Sequence, residues 1–89
     1  LGKLAAELRR QFGLTEREAE IACELMRSSL PCDIVRRLGI SINTFKTHRR
    51  HIYDKIGVRR QAELIVVGFA VESLLRQSAP AGDEGAHAG

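Results

Sequence analysis

The 89-residue chain carries 14 Lys and Arg against 11 Asp and Glu, a net charge of +3 with an isoelectric point near 9.3. This length supports one domain around a single small core. It contains no apolar run near the ~18 residues of a membrane span and no signal-peptide pattern, so membrane-spanning and secreted classes are set aside and a cytoplasmic setting is expected; a start at Leu1 rather than Met is expected of a piece of a longer protein.

Leu1, Leu4, Ala5, Leu8 and Phe12 recur at helical spacing, with Lys3, Glu7, Arg9, Arg10 and Gln11 opposite. They predict an amphipathic helix over residues 1–12, stopped at Gly13. Such a helix is either a linker or a brace on the domain that follows, which is expected to span 13–77. Thr15-Glu16-Arg17-Glu18 has the spacing of a capping box, in which the Thr hydroxyl takes the Glu18 amide and the Glu18 carboxylate reaches back. A helix to about Ser28 follows, with Ile21, Ala22, Leu25 and Met26 on its core side. Pro31 suits the first turn of a short helix. Ile34, Val35 and Leu38 form its apolar side and Gly39 its left-handed stop. Ser41 caps the next helix after Ile40 alone, and two helices joined by so tight a turn form a helix-turn-helix.

The helix over 42–56 can be read on a wheel of about 100° per residue. Ile42, Phe45, Ile52 and Ile56 make one stripe, expected to be buried, while Asn43, Lys46, Thr47, Arg50 and Asp54 lie opposite. Arg and Lys donate hydrogen bonds to guanine and Asn to adenine, so Asn43, Lys46, Thr47 and Arg50 are the candidate base contacts. Tyr53 only flanks this face, and no aromatic platform supports a single-strand or RNA reading. Asp54 repels phosphate and should confine contact to the first three turns. Gly57 ends the helix, and a last one is predicted over 61–77 with two apolar stripes. Leu64, Val67, Val71, Leu74 and Leu75 would close the core. Ala62, Ile65, Val66 and Phe69 want a partner, either a second copy or the amino-terminal helix. The tail over 78–89 is Ala, Gly, Pro and acid, expected to be disordered.

Dividing the charge by segment sharpens its meaning. Residues 1–30 carry five basic and five acidic side chains, and residues 63–89 one basic and four acidic. Residues 31–62 carry eight basic ones against Asp33 and Asp54. Clustered cations are rewarded by a polyanion through counterion release. The two cysteines, Cys23 and Cys32, lack metal-ligand spacing and fall in apolar helical patterns, so both are expected as buried thiols.

The series Leu14-Thr15-x-Arg17-Glu18-x-Glu20-Ile21, Asp33-Ile34-Val35-x-x-Leu38-x-Ile40-Ser41 and Thr44-Phe45-Lys46-x-His48-x-x-x-Ile52-x-x-Lys55-Ile56-x-Val58 resembles the LuxR/FixJ type of helix-turn-helix effector domain of bacterial transcription regulators. The resemblance implies an all-α core of four helices, preceded here by the amphipathic helix, with the third reading DNA and the fourth making the usual dimer contact. It implies that Lys46, Thr47 and Arg50 face bases and that Thr44, Lys55 and Arg59 lie near phosphates; Ser41, His48 and Arg60 join them as phosphate candidates. Three departures stand out. Ser28-Ser29-Leu30-Pro31 replaces a usual Gly-x-Ser/Thr and removes a side-chain cap, Phe45 stands where Val is usual, and Gln61 where Arg is usual.

An enzyme would have to start from His48, His51 and Asp54, whose spacing is poor for a metal site, and no HExxH, phosphate loop or nucleophile elbow accompanies them. No cofactor, metal or small molecule is expected. The expected function is sequence-specific double-stranded DNA binding in transcription regulation, as a homodimer through 61–77, with RNA polymerase a further candidate partner. The rival is a helix-turn-helix protein-interaction module of the transcription machinery, sigma-factor-like or not binding DNA, which has no need of the Lys46/Arg50 face.

Overall fold

The computed structural model describes residues 2–77, so the tail over 78–89 lies outside them. Five helices follow one another: α1 (Gly2–Phe12), α2 (Glu16–Met26), α3 (Pro31–Leu38), α4 (Ile42–Ile56) and α5 (Gln61–Gln77). No strand occurs among the described residues.

α1 lies against the helices that follow it. Its Leu4, Ala5 and Leu8 are buried, and it packs on α2 and α5. α2 starts with the expected capping box: the Glu18 amide donates to Thr15 Oγ1 at 3.1 Å, and the Thr15 amide to Glu18 Oε1 at 3.0 Å. Ile21, Ala22, Cys23 and Leu25 are sealed in the core.

The corner between α2 and α3 shows what the missing Gly-x-Ser/Thr costs. Ser28 takes the left-handed conformation, φ 66°, which a Cβ makes unfavourable. Leu30 sits at the N-cap of α3 without any side-chain hydrogen bond, and Pro31 opens the helix. Part of the loss is offset by Gln61, whose Nε2 donates to the Leu25 carbonyl at 3.0 Å and caps the end of α2 from α5. Gly39 (φ 67°) then closes α3, its amide bonded to Val35 O at 2.9 Å, and Ser41 caps α4 by accepting from the Thr44 amide at 3.0 Å. α3 and α4 pack together as the helix-turn-helix pair.

Beneath α4, Phe45 and Ile52 are fully buried, and Ile56 is partly so. Ile42, expected in the same stripe, is 45% exposed. A wheel gives direction but not position along the axis, and no neighbour covers the first turn. α5 buries Leu64, Gly68 and Val71 against α1 and α2. Gly68 permits this approach, since a Cβ there would lie 2.8 Å from Met26 Cγ and Sδ. Leu74, expected in the core stripe, is 55% exposed at the edge of a groove that it shares with Glu7, Arg10 and Gln11 of α1. The cysteines also divide: Cys23 is buried and Cys32 exposed, because it sits in the first turn of α3 across from the buried Ile34.

Restoring the two missing devices should stabilise the domain. Ser28→Gly relieves a left-handed residue and Leu30→Ser supplies a cap, at a cost of little burial since Leu30 is exposed. Each is expected to add about 0.5–1 kcal/mol in urea unfolding. No gain from Leu30→Ser would mean that the α3 amides are already satisfied.

Candidate nucleic-acid interface

The outer side of α4 carries Asn43, Thr44, Lys46, Thr47, Arg50 and Asp54, all exposed. Burial of Phe45 and Ile52 turns these side chains outward, and the Ser41 cap starts the helix in register. Beside this face lies a basin of about 710 Å³, bounded by α4, Pro31 and the turn before α5. Lys46, Arg49, Arg50, Tyr53, Asp54, Arg59 and Arg60 line it. Both Arg59 and Arg60 are exposed in the short turn after Gly57, which is held by Arg59 N–H donating to Glu63 Oε1 at 2.7 Å.

The arginines sort into two populations. Arg10, Arg17, Arg36 and Arg37 pair with Glu7, Glu20, Asp33 and Glu24. Lys46, Arg49, Arg50, Arg59 and Arg60 have no carboxylate within 4.0 Å among the described residues. Arg49 instead lies over the Phe45 ring, 5.3 Å from its centroid. The positive charge of α1–α3 is thus largely neutralised locally, while that of α4 and the following turn stays open to solvent.

The other flank of α4 faces inward. Lys55 Nζ donates to Glu18 Oε1 at 2.7 Å and to the Gly13 carbonyl at 3.2 Å, and His51 Nδ1 is 3.6 Å from Glu18 Oε2. Burial by itself would raise the Glu18 pKa. The hydrogen bonds from Lys55 and from the Thr15 amide, with the charges of Lys55 and His51, carry it below its ordinary value. Lys55 therefore ties α4 to α2, a duty that its expected place near a phosphate did not foresee. His48 is half-buried with Nδ1 enclosed and unpaired among the described residues, which leaves Nε2 as its available polar atom.

On α5, Ala62, Val66 and Phe69 are exposed, with Phe69 at 69%, and Ile65 is half-buried. Ile65 and Phe69 border a pocket of about 140 Å³ with Leu4 and Met26. α1 thus covers only part of the second stripe. Among the described residues no group of three or more His, Cys, Asp and Glu could hold a metal, and no helix is long and apolar enough to cross a membrane.

A short and a long helix packed together across a tight turn, with an unneutralised outer face, have the form of a helix-turn-helix DNA-binding domain. The sequence profile of bacterial regulatory proteins of the luxR family matches residues 13–68, and the chain belongs to that family, whose members are DNA-binding transcription regulators rather than enzymes. It is similar to the probable transcriptional regulatory protein SgaR of Hyphomicrobium methylovorum, 36% identical over 58 residues, 65% of this chain and 28% of that protein. It is also similar to the transcriptional regulatory protein UhpA of Salmonella typhimurium, 39% identical over 62 residues, 70% of this chain and 31% of that protein. The chain therefore spans under a third of the length of these relatives. No solved structure gives a significant match.

The Glu18 cluster generates a prediction with a definite pH sign. Glu18→Gln keeps the capping box but loses the charge, and should cost about 1 kcal/mol at neutral pH, discounted because Lys55 is a third exposed. A carboxylate with a lowered folded pKa stabilises above its unfolded pKa and loses that contribution as pH falls through the folded value. The gap between wild type and Glu18→Gln in urea unfolding should therefore close in strong acid. A gap that persists there would assign the effect to shape rather than charge.

Proposed function

We propose that this domain binds specific sites in double-stranded DNA with α4 in the major groove, as the effector part of a transcription regulator. Asn43, Lys46, Thr47 and Arg50 read base edges. Ser41, Thr44, His48, Arg59 and Arg60 hold phosphates. Lys55 is left out of this set because its ammonium is engaged by Glu18 and Gly13. The observation that carries the reading is the concentration of uncompensated cations along one side of α4 and the turn after it, beside an outward Asn43. Counterion release makes such a surface an attractor for a duplex, and the polar side chains on its crest discriminate bases.

The domain acts as a homodimer through Ala62, Ile65, Val66 and Phe69, which pairs two half-sites, and RNA polymerase is its further partner. Support comes from Val66 and Phe69, both about two-thirds exposed and adjacent on α5. Such apolar side chains in a patch mark an interaction surface.

Selection of preferred sites from random duplexes tests the reading, with no enrichment favouring the protein-interaction module. On an enriched site, Arg50→Ala should lose about 1–3 kcal/mol and relax preference at one position. A loss that is equal on every sequence would move Arg50 to the phosphate set. Phe69→Glu should leave the fold intact, since the ring is exposed, and abolish cooperative occupancy of paired half-sites while single-site affinity stays within about threefold. Undiminished cooperativity would take α5 out of the dimer.

A further inference from the structure

Arg49 belongs neither to the crest of α4 nor to its core. Its guanidinium carbon lies over the buried Phe45 ring, 5.3 Å from the centroid, and it has no carboxylate within 4.0 Å among the described residues. A cation–π contact uses no N–H donor, so the guanidinium keeps its donors for a bidentate oxyanion. Stacking also holds the group back toward the root of the helix. It is half-buried where Lys46 and Arg50 are exposed, which places it on the flank of the helix. In a groove occupied by a helix, the flank is the sugar–phosphate wall.

That flank is where the basin lies. Arg49 and Tyr53 lie on its α4 side with Lys46, Arg50 and Asp54, and Arg59 and Arg60 close it from the turn before α5. Cations thus stand on both banks of one channel. Tyr53, one helical turn beyond Arg49, adds a phenolic O–H donor. Asp54 is the single carboxylate on the wall.

We infer that this basin is the track of one DNA strand and that Arg49, held by Phe45, is the clamp on one of its phosphates, an inference that rests on the DNA reading above. The clamp depends on an aromatic ring at position 45, where the LuxR-type pattern usually has Val and would offer no platform for stacking.

The test measures binding of a random-sequence duplex of about 20 base pairs by fluorescence anisotropy, between roughly 50 and 200 mM salt. Arg49→Ala is expected to weaken binding about tenfold at the lowest salt and to lower the slope of log K against log salt by about one. The factor should be the same on a selected site, since a phosphate contact carries no sequence. Arg49→Lys should keep most of the slope and lose part of the affinity, and Arg9→Ala, an exposed α1 residue outside the basin, should change neither. If wild type binds and Arg49→Ala keeps its salt slope, or loses affinity at one base pair only, the clamp is overturned while the DNA reading stands. If wild type binds no duplex at any salt, the DNA reading fails and the clamp with it.

Discussion

Glu18 is the buried carboxylate on which three elements converge. It completes the capping box of α2, takes the Lys55 ammonium from the last turns of α4, and faces His51 one turn earlier. An ionised carboxylate with so little access to water is tolerated only when its oxygens are occupied and its charge is met. Lys55 meets it and, by also reaching the Gly13 carbonyl, ties α4 to the stretch between α1 and α2. Lys55 and His51 lie on one flank of a fifteen-residue helix. Fixing that flank against α2, with Phe45 and Ile52 packed beneath, sets the rotation of α4. The arc that remains outside is the one holding Asn43, Lys46, Thr47 and Arg50.

The same economy governs the rest of the charge. Each of Arg10, Arg17, Arg36 and Arg37 has a carboxylate three residues away or on the adjoining helix. These exposed pairs add little to stability. Their effect is on the field: neutral surroundings leave the basin and the crest of α4 as the positive region of the domain. Asp54 is the carboxylate that lines the basin, and it sits in the fourth turn of α4, so attraction along that helix is strongest toward its start.

The helix order, the three glycine stops at Gly13, Gly39 and Gly57, the Thr15–Glu18 box and the outward set on α4 were all legible in the sequence, because each depends on residues within about four positions of one another. What was not legible depends on long range or on depth. Glu18 and Lys55 are 37 residues apart, and neither carries a local sign of the other. Ile42 and Leu74 share the direction of buried neighbours but lie in end turns, Ile42 in the first of α4 and Leu74 in the last of α5 beside the groove with α1. Cys32 reads as core from its apolar surroundings, yet Ile34 alone in α3 is fully buried. Arg49 counted in the sequence only as one of the eight basic residues of 31–62. The signal was there in Phe45, four residues earlier, since aromatic and cation at that spacing stack on one helix face.

Two of the three departures from the LuxR-type pattern, the 28–31 segment and Gln61, meet in space, which makes them one adjustment. Without Gly at 28 and a hydroxyl at 30, the α2–α3 corner is strained and under-capped. Gln61 is the residue that answers this, because an amide can turn inward and donate to the Leu25 carbonyl, where the usual Arg would bring a charge into a partly buried place. Gln61 still lines the basin but brings no charge to it, so on that bank Arg59 and Arg60 supply the charge. A domain this small has limited core with which to offset a weakened corner. Here α1 enlarges that core by burying Leu4, Ala5 and Leu8 against α2 and α5, with about 1.5–3 kcal/mol expected from a leucine sealed as fully as Leu8. The brace and the irregular corner share α2, so the helix that lost its regular ending is also the one most heavily packed from its other side.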